Sequence, residues 1–156
     1  MNLARLASWL VRLRPARDAD AVLFYRLRLD QPATIGVPPA SWQAHVDFCC
    51  RGLTRGARWY VGTVMCRPVG ILRLDRLSDE AGPRTWVSIV VDKRWQSRGF
   101  GLAMLAQAPG HDDLWARIHE DNAASLRLFA RAGYRFGYRL FDSDGPWEIW
   151  RLARED

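Results

Sequence analysis

Trp86-Val87-Ser88-Ile89-Val90-Val91-Asp92-Lys93-Arg94-Trp95-Gln96-Ser97-Arg98-Gly99-Phe100-Gly101-Leu102-Ala103-Met104-Leu105 is the stretch that decides how the chain is read. Its first part is β-branched and apolar, which reads as a buried strand. Its last part, from Leu102 to Ala106, reads as a helix. Between them stand charged residues and two glycines, Gly99 and Gly101. At such a strand–turn–helix junction backbone N–H groups converge on an anion. The glycines let the chain bend sharply and approach a ligand closely. A phosphate-bearing ligand is the first functional expectation. A Walker loop would need Gly-Lys-Ser/Thr after the second glycine, and Leu102-Ala103 stand there instead. A dinucleotide fingerprint would need a third glycine where Met104 stands.

What remains is Gln-x-x-Gly-x-Gly, written here as Gln96-Ser97-Arg98-Gly99-Phe100-Gly101. It resembles the pyrophosphate loop of the GNAT superfamily of acyl-CoA N-acyltransferases. A second stretch, Asn122-Ala123-Ala124-Ser125-Leu126-Arg127-Leu128-Phe129-Ala130-Arg131-Ala132-Gly133-Tyr134, has a polar start and a glycine stop. Asp121 or Asn122 can cap its helix, and Gly133 suits the left-handed position after the last turn. Leu126, Phe129 and Ala130 fall on one face, with Ala123 and Gly133 extending the stripe. Any amphipathic helix reads this way. Its pattern Asn-x-x-Ser-x-x-Leu-aromatic-x-x-x-Gly-aromatic is, in addition, similar to the second cofactor motif of the same superfamily, and it follows the first in the right order. The resemblance covers the second half of the chain well and the first half in outline.

The 156 residues fit one domain, 1–156, with a sizeable core. Forty-nine per cent are hydrophobic, which excludes a disordered chain. The formal charge is +6, but the arginines are scattered rather than clustered. That pattern favours anionic small ligands over nucleic acid. Cys49, Cys50 and Cys66 form no Cys-x-x-Cys pair, and only His45 stands near two of them. A metal site and a disulfide framework are therefore not expected, and the thiols read as small buried apolar residues of a reducing compartment. The stretch Met1–Leu13 is too short and too interrupted by Arg5 and Arg12 for a membrane span or a secretory leader. A cytoplasmic protein without membrane contact, monomer or homodimer, is expected.

In chain order, Leu10–Arg14 is a strand stopped by Pro15. Asp18 or Asp20 caps a helix to about Leu29, with Ala21, Phe24, Leu27 and the Arg28 stem inward. Gln31–Ala40, with three prolines and a glycine, is a loop, and a loop of that length between helices is often functional. Ser41 caps a helix through about Leu53, with Trp42, His45, Val46 and Cys49 on one stripe. Arg58–Met65 and Val69–Arg76 form a hairpin across Cys66-Arg67-Pro68. Ser78–Pro83 is a polar turn. The helix after Gly99 stops at Pro109-Gly110. Leu114–Ile118 is a strand, and Tyr134–Phe141 and Trp147–Leu152 form a last hairpin. The order β-α-α-β-β-β-α-β-α-β-β is that of the GNAT fold, an α/β (α+β) domain with a central mixed, mostly antiparallel sheet and helices on both faces.

The resemblance implies that acetyl-CoA is the acyl donor and that no metal takes part. Its pantetheine arm would lie in a gap beside Ile89 and Val91, with a main-chain N–H near a strand bulge, Val90 or Ile89, holding the oxyanion. Gln96, Ser97, Arg98, Gly99, Phe100, Gly101 and Leu102 would hold the pyrophosphate. Asn122, Ser125 and Phe129 would border the pantetheine. Phe129 stands where many members carry a tyrosine proposed to protonate the leaving thiolate, so this chain has no dedicated acid there. His119 has a suitable ordinary pKa for a general base, with Glu120, Asp75 and Asp92 as rivals. Ser88, on the opposite face from Val87 and Ile89, would line the acceptor side. Three functions are compatible with these residues. The leading one is acetylation of a small-molecule amine, with resemblance to the pseudaminic-acid pathway acetyltransferases that act on nucleotide-linked amino sugars. The others are protein or peptide N-acetylation and a non-catalytic acyl-CoA-binding module.

Overall fold

The computed structural model describes residues 10–31, 38–79, 82–110 and 113–152. Their order is β1 (Val11–Pro15), a 3-10 turn (Asp18–Asp20), α1 (Ala21–Asp30), α2 (Trp42–Thr54), β2 (Arg58–Val64), β3 (Arg67–Asp79), β4 (Gly82–Val91), a 3-10 turn (Lys93–Trp95), α3 (Phe100–Ala106), β5 (Leu114–His119), α4 (Ala123–Arg131), β6 (Tyr134–Asp142) and β7 (Gly145–Leu152). The seven strands form one sheet in the order β1-β2-β3-β4-β5-β7-β6. Only β4 and β5 run parallel; every other neighbouring pair is antiparallel. The expected order and mixed sheet are those of the structure.

Side-chain alternation divides the sheet into two buried faces. One face carries Leu72, Leu74, Val87, Ala116 and Ile118, and packs Ala103, Met104 and Leu105 of α3 and Phe129 of α4. The other carries Val61, Ile71 and Val90 under Phe24 and Leu27 of α1, with Phe48 and Cys49 of α2 beside them. Ser41 caps α2 by accepting from Ala44 N–H at 3.1 Å. α1 has no such cap, because Asp20 is bound instead by Arg14 at 2.8 and 2.9 Å and by Arg17 N–H at 2.7 Å.

Several expectations are corrected. The β2–β3 turn is Met65-Cys66, both left-handed at φ 47 and 64, and not Cys66-Arg67-Pro68. A two-residue turn of that twist matches the strands it joins, and Pro68 is absorbed opposite Thr63 next to a register shift. β3 and β4 reach Asp79 and Gly82, so the predicted turn at 78–83 is mostly strand. Cys50 and Cys66 are exposed and so are not core residues, while half-buried Cys49 packs at the edge of the second cluster. On α4, Ala123 and Ala130 face solvent; Phe129 is buried, with Leu126, Leu128 and Ala132 packed beside it. The proline-bearing loop after Gln31 lies largely outside the described residues, at 32–37. No described helix is long and apolar enough to cross a membrane.

Gly70 tests the packing that holds β4 in place. A Cβ there would stand 2.4 Å from the Val90 carbonyl oxygen, a backbone atom of the neighbouring strand. Gly70→Ala is expected to lower stability by about 2 kcal/mol, read as an earlier midpoint in denaturant unfolding. An unchanged midpoint would show that the β3–β4 pair relaxes freely.

Candidate functional site

The site begins with what β4 leaves unpaired. Asp92 N–H donates to Val69 C=O at 2.9 Å, and the β3–β4 register runs from Gly70↔Val91 to Asp79↔Gly82 without a shift. In an antiparallel pair alternate residues turn their main-chain groups to the partner. Val90 and Ser88 therefore face β3, and Val87, Ile89 and Val91 face the other way. On that side β5 meets β4 only at Thr85↔Leu114 and Trp86↔Trp115. Beyond Trp86 the two strands part, and the main-chain groups of Val87 and Ile89 border a gap, whereas the Val91 C=O accepts from Gln31 and Gln96 side chains at 3.1 and 2.9 Å. Two corrections follow. β4 carries no bulge, and the Val90 N–H is committed to β3, so the donor that faces the gap is Ile89.

The loop after β4 is held by Asp92. Its carboxylate accepts from Arg94 N–H at 3.0 Å, from the Arg94 side chain at 2.9 and 3.1 Å, and from Arg26 of α1 at 2.7 Å. The Arg94 hydrogen bonds, with the Arg26 charge adding to them, hold this carboxyl below its ordinary pKa. A carboxylate so held is a poor proton acceptor, which removes Asp92 from the candidate bases. Ser97 and Gly99 then adopt left-handed backbone, φ 61 and 83, before α3. A non-glycine residue in that region carries strain, which clusters at ligand-binding turns. The first intrahelical bond of α3 is Ala103 N–H to Gly99 C=O, so Phe100, Gly101 and Leu102 have no acceptor within the helix.

Gap and loop open into one cleft of about 840 Å³. It is lined by Asp30 and Gln31, by Ile89, Val90 and Val91, by Lys93, by Trp95 to Leu102, and by Asn122, Ala124, Ser125, Arg127, Leu128 and Arg131 of α4. The predicted residues Gln96, Ser97, Arg98, Gly99, Phe100, Gly101, Leu102, Asn122 and Ser125 thus meet around one space. Asn122 Oδ1 accepts from Ser125 N–H at 3.1 Å and caps α4. Sequence reading passed over Lys93, Arg127 and Arg131, which with Arg98 place four cations around the cleft against the single acid Asp30. The spacing of Arg127 and Arg131, one helical turn apart, was the available signal.

Phe129 is not among the lining residues. It is 4 % exposed and packs edge-on against Tyr134 at 4.9 Å, so it belongs to the core and not to the wall of the cleft. The Tyr134 hydroxyl beside it is buried and has no hydrogen-bond partner among the described residues, and burial pushes its pKa well up. His119 does not line the cleft either. It packs edge-on against Trp147 at 5.1 Å, and its Nδ1 accepts from Asp121 N–H at 3.3 Å, which leaves Nε2 as the protonated nitrogen of the neutral ring. Asp75 is bound through Oδ1 by Arg73 at 2.6 and 2.9 Å, Glu120 is exposed, and exposed Ser88 lies across from Arg73.

On that same face, β5 and β7 present indoles under guanidinium groups. Arg84 and Arg151 lie over Trp115 at 4.1 and 5.2 Å, and Arg117 over Trp147 at 4.1 Å. Trp86 stands 6.2 Å from Trp115. Among the described residues no three His, Cys, Asp or Glu side chains gather as a metal site.

A sequence profile described as the Acetyltransferase (GNAT) family matches residues 19–134. No curated protein matches the chain. Among solved structures, a spermidine N-acetyltransferase from Vibrio cholerae in complex with CoA and spermine superposes with a TM-score of 0.78 at 12% identity, covering 92% of this chain and 95% of that one. The Salmonella typhimurium acetyl transferase that modifies the N-terminal serine of ribosomal protein L7/L12 gives 0.76 at 14%, covering 96% and 98%. Mycobacterium smegmatis RimJ in complex with CoA-disulfide gives 0.73 at 20%, covering 91% and 81%. At these identities the likeness is one of fold.

The Asp92 carboxylate makes a prediction about pH. Its folded pKa is lowered, so it stabilises the fold above the ordinary carboxylate range, and that contribution is lost as pH falls through the lowered value. Stability measured from pH 6 downward is expected to fall less steeply in Asp92→Asn than in the unchanged protein. Equal slopes would mean that the two arginines do not grip this carboxylate in solution.

Proposed function

The chain belongs to the acetyltransferase (GNAT) family, and on that premise we propose that it transfers an acetyl group from acetyl-CoA to a primary amine by direct attack in a ternary complex. The observation that carries the reading is the gap beside Ile89 and Val91 running into a loop ringed by cations. The gap offers an extended arm the main-chain groups of a missing strand. The loop offers a pyrophosphate the N–H groups of Arg98, Gly99, Gly101 and Leu102, with Lys93, Arg98, Arg127 and Arg131 supplying charge. The CoA held by the Vibrio cholerae and Mycobacterium smegmatis proteins of the same fold supports this assignment.

In the proposed reaction the neutral amine attacks the thioester carbon, and the new C–N bond puts negative charge on the carbonyl oxygen. The Ile89 N–H is the candidate donor to that oxygen. Collapse breaks the C–S bond, and water protonates the departing thiolate; Phe129 carries no hydroxyl and is turned into the core, away from the cleft. His119 is the first candidate to take the amine proton, through Nδ1 once the 3.3 Å contact from Asp121 N–H is released, with Asp75 and Glu120 behind it. Its placement on the acceptor face, away from the cofactor loop, suits that role.

The leading acceptor is a small amine that also carries anionic and planar groups, such as a nucleotide-linked amino sugar. The Arg84 guanidinium laid on Trp115 beside Trp86 supports it, because it offers a flat cationic surface; Arg117 is ion-paired with Asp142. That cationic surface disfavours a bare polycation. A protein N-terminus is the second reading. The Phe24 and Phe48 rings of α1 and α2 pack against Trp59 at 4.5 and 6.3 Å, and among the described residues these two rings are engaged on β2.

Acetyl-CoA at a hundred times its dissociation constant is expected to stabilise the fold by about 2.7 kcal/mol, seen as a rise in melting temperature. Gly99→Val forces a branched residue into φ 83 and is expected to remove most of that rise. No shift in the unchanged protein at saturating acetyl-CoA would sink the proposal.

For the base, His119→Ala is expected to lower turnover at neutral pH and to recover at high pH, where the amine deprotonates in solution. A loss that high pH does not restore removes His119 from the mechanism.

A further inference from the structure

Helix α1 is tied to the cofactor loop by polar contacts that the reaction above does not use. Gln31, the first residue past α1, is 6 % exposed and lines the cleft. Its Nε2 donates to Val91 C=O at 3.1 Å. Gln96 Nε2 donates to the same carbonyl at 2.9 Å and to Gln31 Oε1 at 2.7 Å. Both lone pairs of the Val91 carbonyl are thereby filled, and turning the Gln31 amide over would set oxygen against oxygen. One turn back, Arg26 bridges to Asp92 at 2.7 Å, and Leu27 shares a buried cluster with Val90.

These contacts grip three consecutive residues, Val90, Val91 and Asp92, where the strand becomes the loop. The Val91 carbonyl belongs to the peptide plane that precedes the loop. Whatever turns that plane moves the N–H groups beyond it. α1 also covers the face of the sheet opposite α3 and α4, the side from which an acceptor would approach.

We propose that Gln31 is a positioning residue that couples occupancy of the cofactor loop to helix α1, so that acetyl-CoA binding orders the acceptor-side helix before the amine arrives. This rests on the cleft being the acetyl-CoA site. Linkage makes the effect reciprocal: a loop held by Gln31 binds acetyl-CoA more tightly, and a bound acetyl-CoA holds α1.

The test is amide hydrogen exchange on the full chain with and without saturating acetyl-CoA, with binding measured by calorimetry. In the unchanged protein exchange is expected to slow both in residues 96–102 and in α1. In Gln31→Leu the dissociation constant is expected to rise about ten-fold, the worth of one or two hydrogen bonds. At saturation the loop of that variant should still be protected and α1 should not. Gln96→Leu combined with Gln31→Leu should cost no more than the larger single change, because the two side chains form one network. Arg26→Gln removes the second tie without burying an apolar group, and keeps the test open if Gln31→Leu folds poorly. It too should leave the loop protected and α1 exchanging faster than in the unchanged complex. Slowing confined to the loop in the unchanged protein, or slowing of α1 that survives these substitutions, overturns the coupling. Absence of protection in the loop itself, with no heat of binding, overturns the acetyl-CoA assignment and the coupling with it, and that pattern is distinct.

Discussion

The parting of β4 from β5 is the constraint on which the site depends. Backbone N–H and C=O groups in a sheet interior require partners. After Trp86 those of Val87, Ile89 and Val91 turn to a side where β5 has moved away. The loop, α3 and α4 are arranged around that opening. A continuous β4–β5 ladder would satisfy the strand and leave no place for an extended ligand arm. The short α3 follows from the same geometry: seven residues suffice to cover Val87 and Leu74 from the loop to the turn before β5.

Charge works at two ranges. The net +6 favours anionic ligands in general, but the cleft owes its character to four side chains brought from two segments. Lys93 and Arg98 come from the loop, and Arg127 and Arg131 from one face of α4. Asp92 plays the opposite part. Two arginines hold it as a carboxylate, and it serves as the cap of the Lys93–Trp95 turn, not as a proton acceptor.

Positions that share one apparent property in the chain divide in the structure. Phe129 and Asn122 belong to one motif, yet Asn122 borders the cleft while Phe129 packs edge-on against Tyr134 in the core. Seven residues are almost two full turns, so phase does not separate them: Asn122 is the non-helical cap at the start of α4, φ −84 and ψ 68, while the helix itself turns Ala124, Arg127, Leu128 and Arg131 to the cleft and Phe129 away from it. Gln31 read as the opening of a loop because a proline follows it. In the structure it belongs with α1, turned toward Val91 through contacts sixty residues away. The cysteines read as buried because small thiols usually are, but Cys66 occupies a tight turn and Cys50 the outer side of α2.

Local chemistry was sufficient for some of this protein. The apolar β-branched run of β4, the glycines of its loop and the capped helix from Asn122 identify the fold and point to the loop proposed as the anion site, because each depends on neighbours within a few residues. Tertiary structure alone decided which main-chain donor faces the gap, which carboxylate is already neutralised, and which helix grips the loop. Those depend on strand register, on the Arg26–Asp92 bridge and on the Gln31–Val91–Gln96 network. Each joins residues far apart in the chain, and no local pattern records such a pairing.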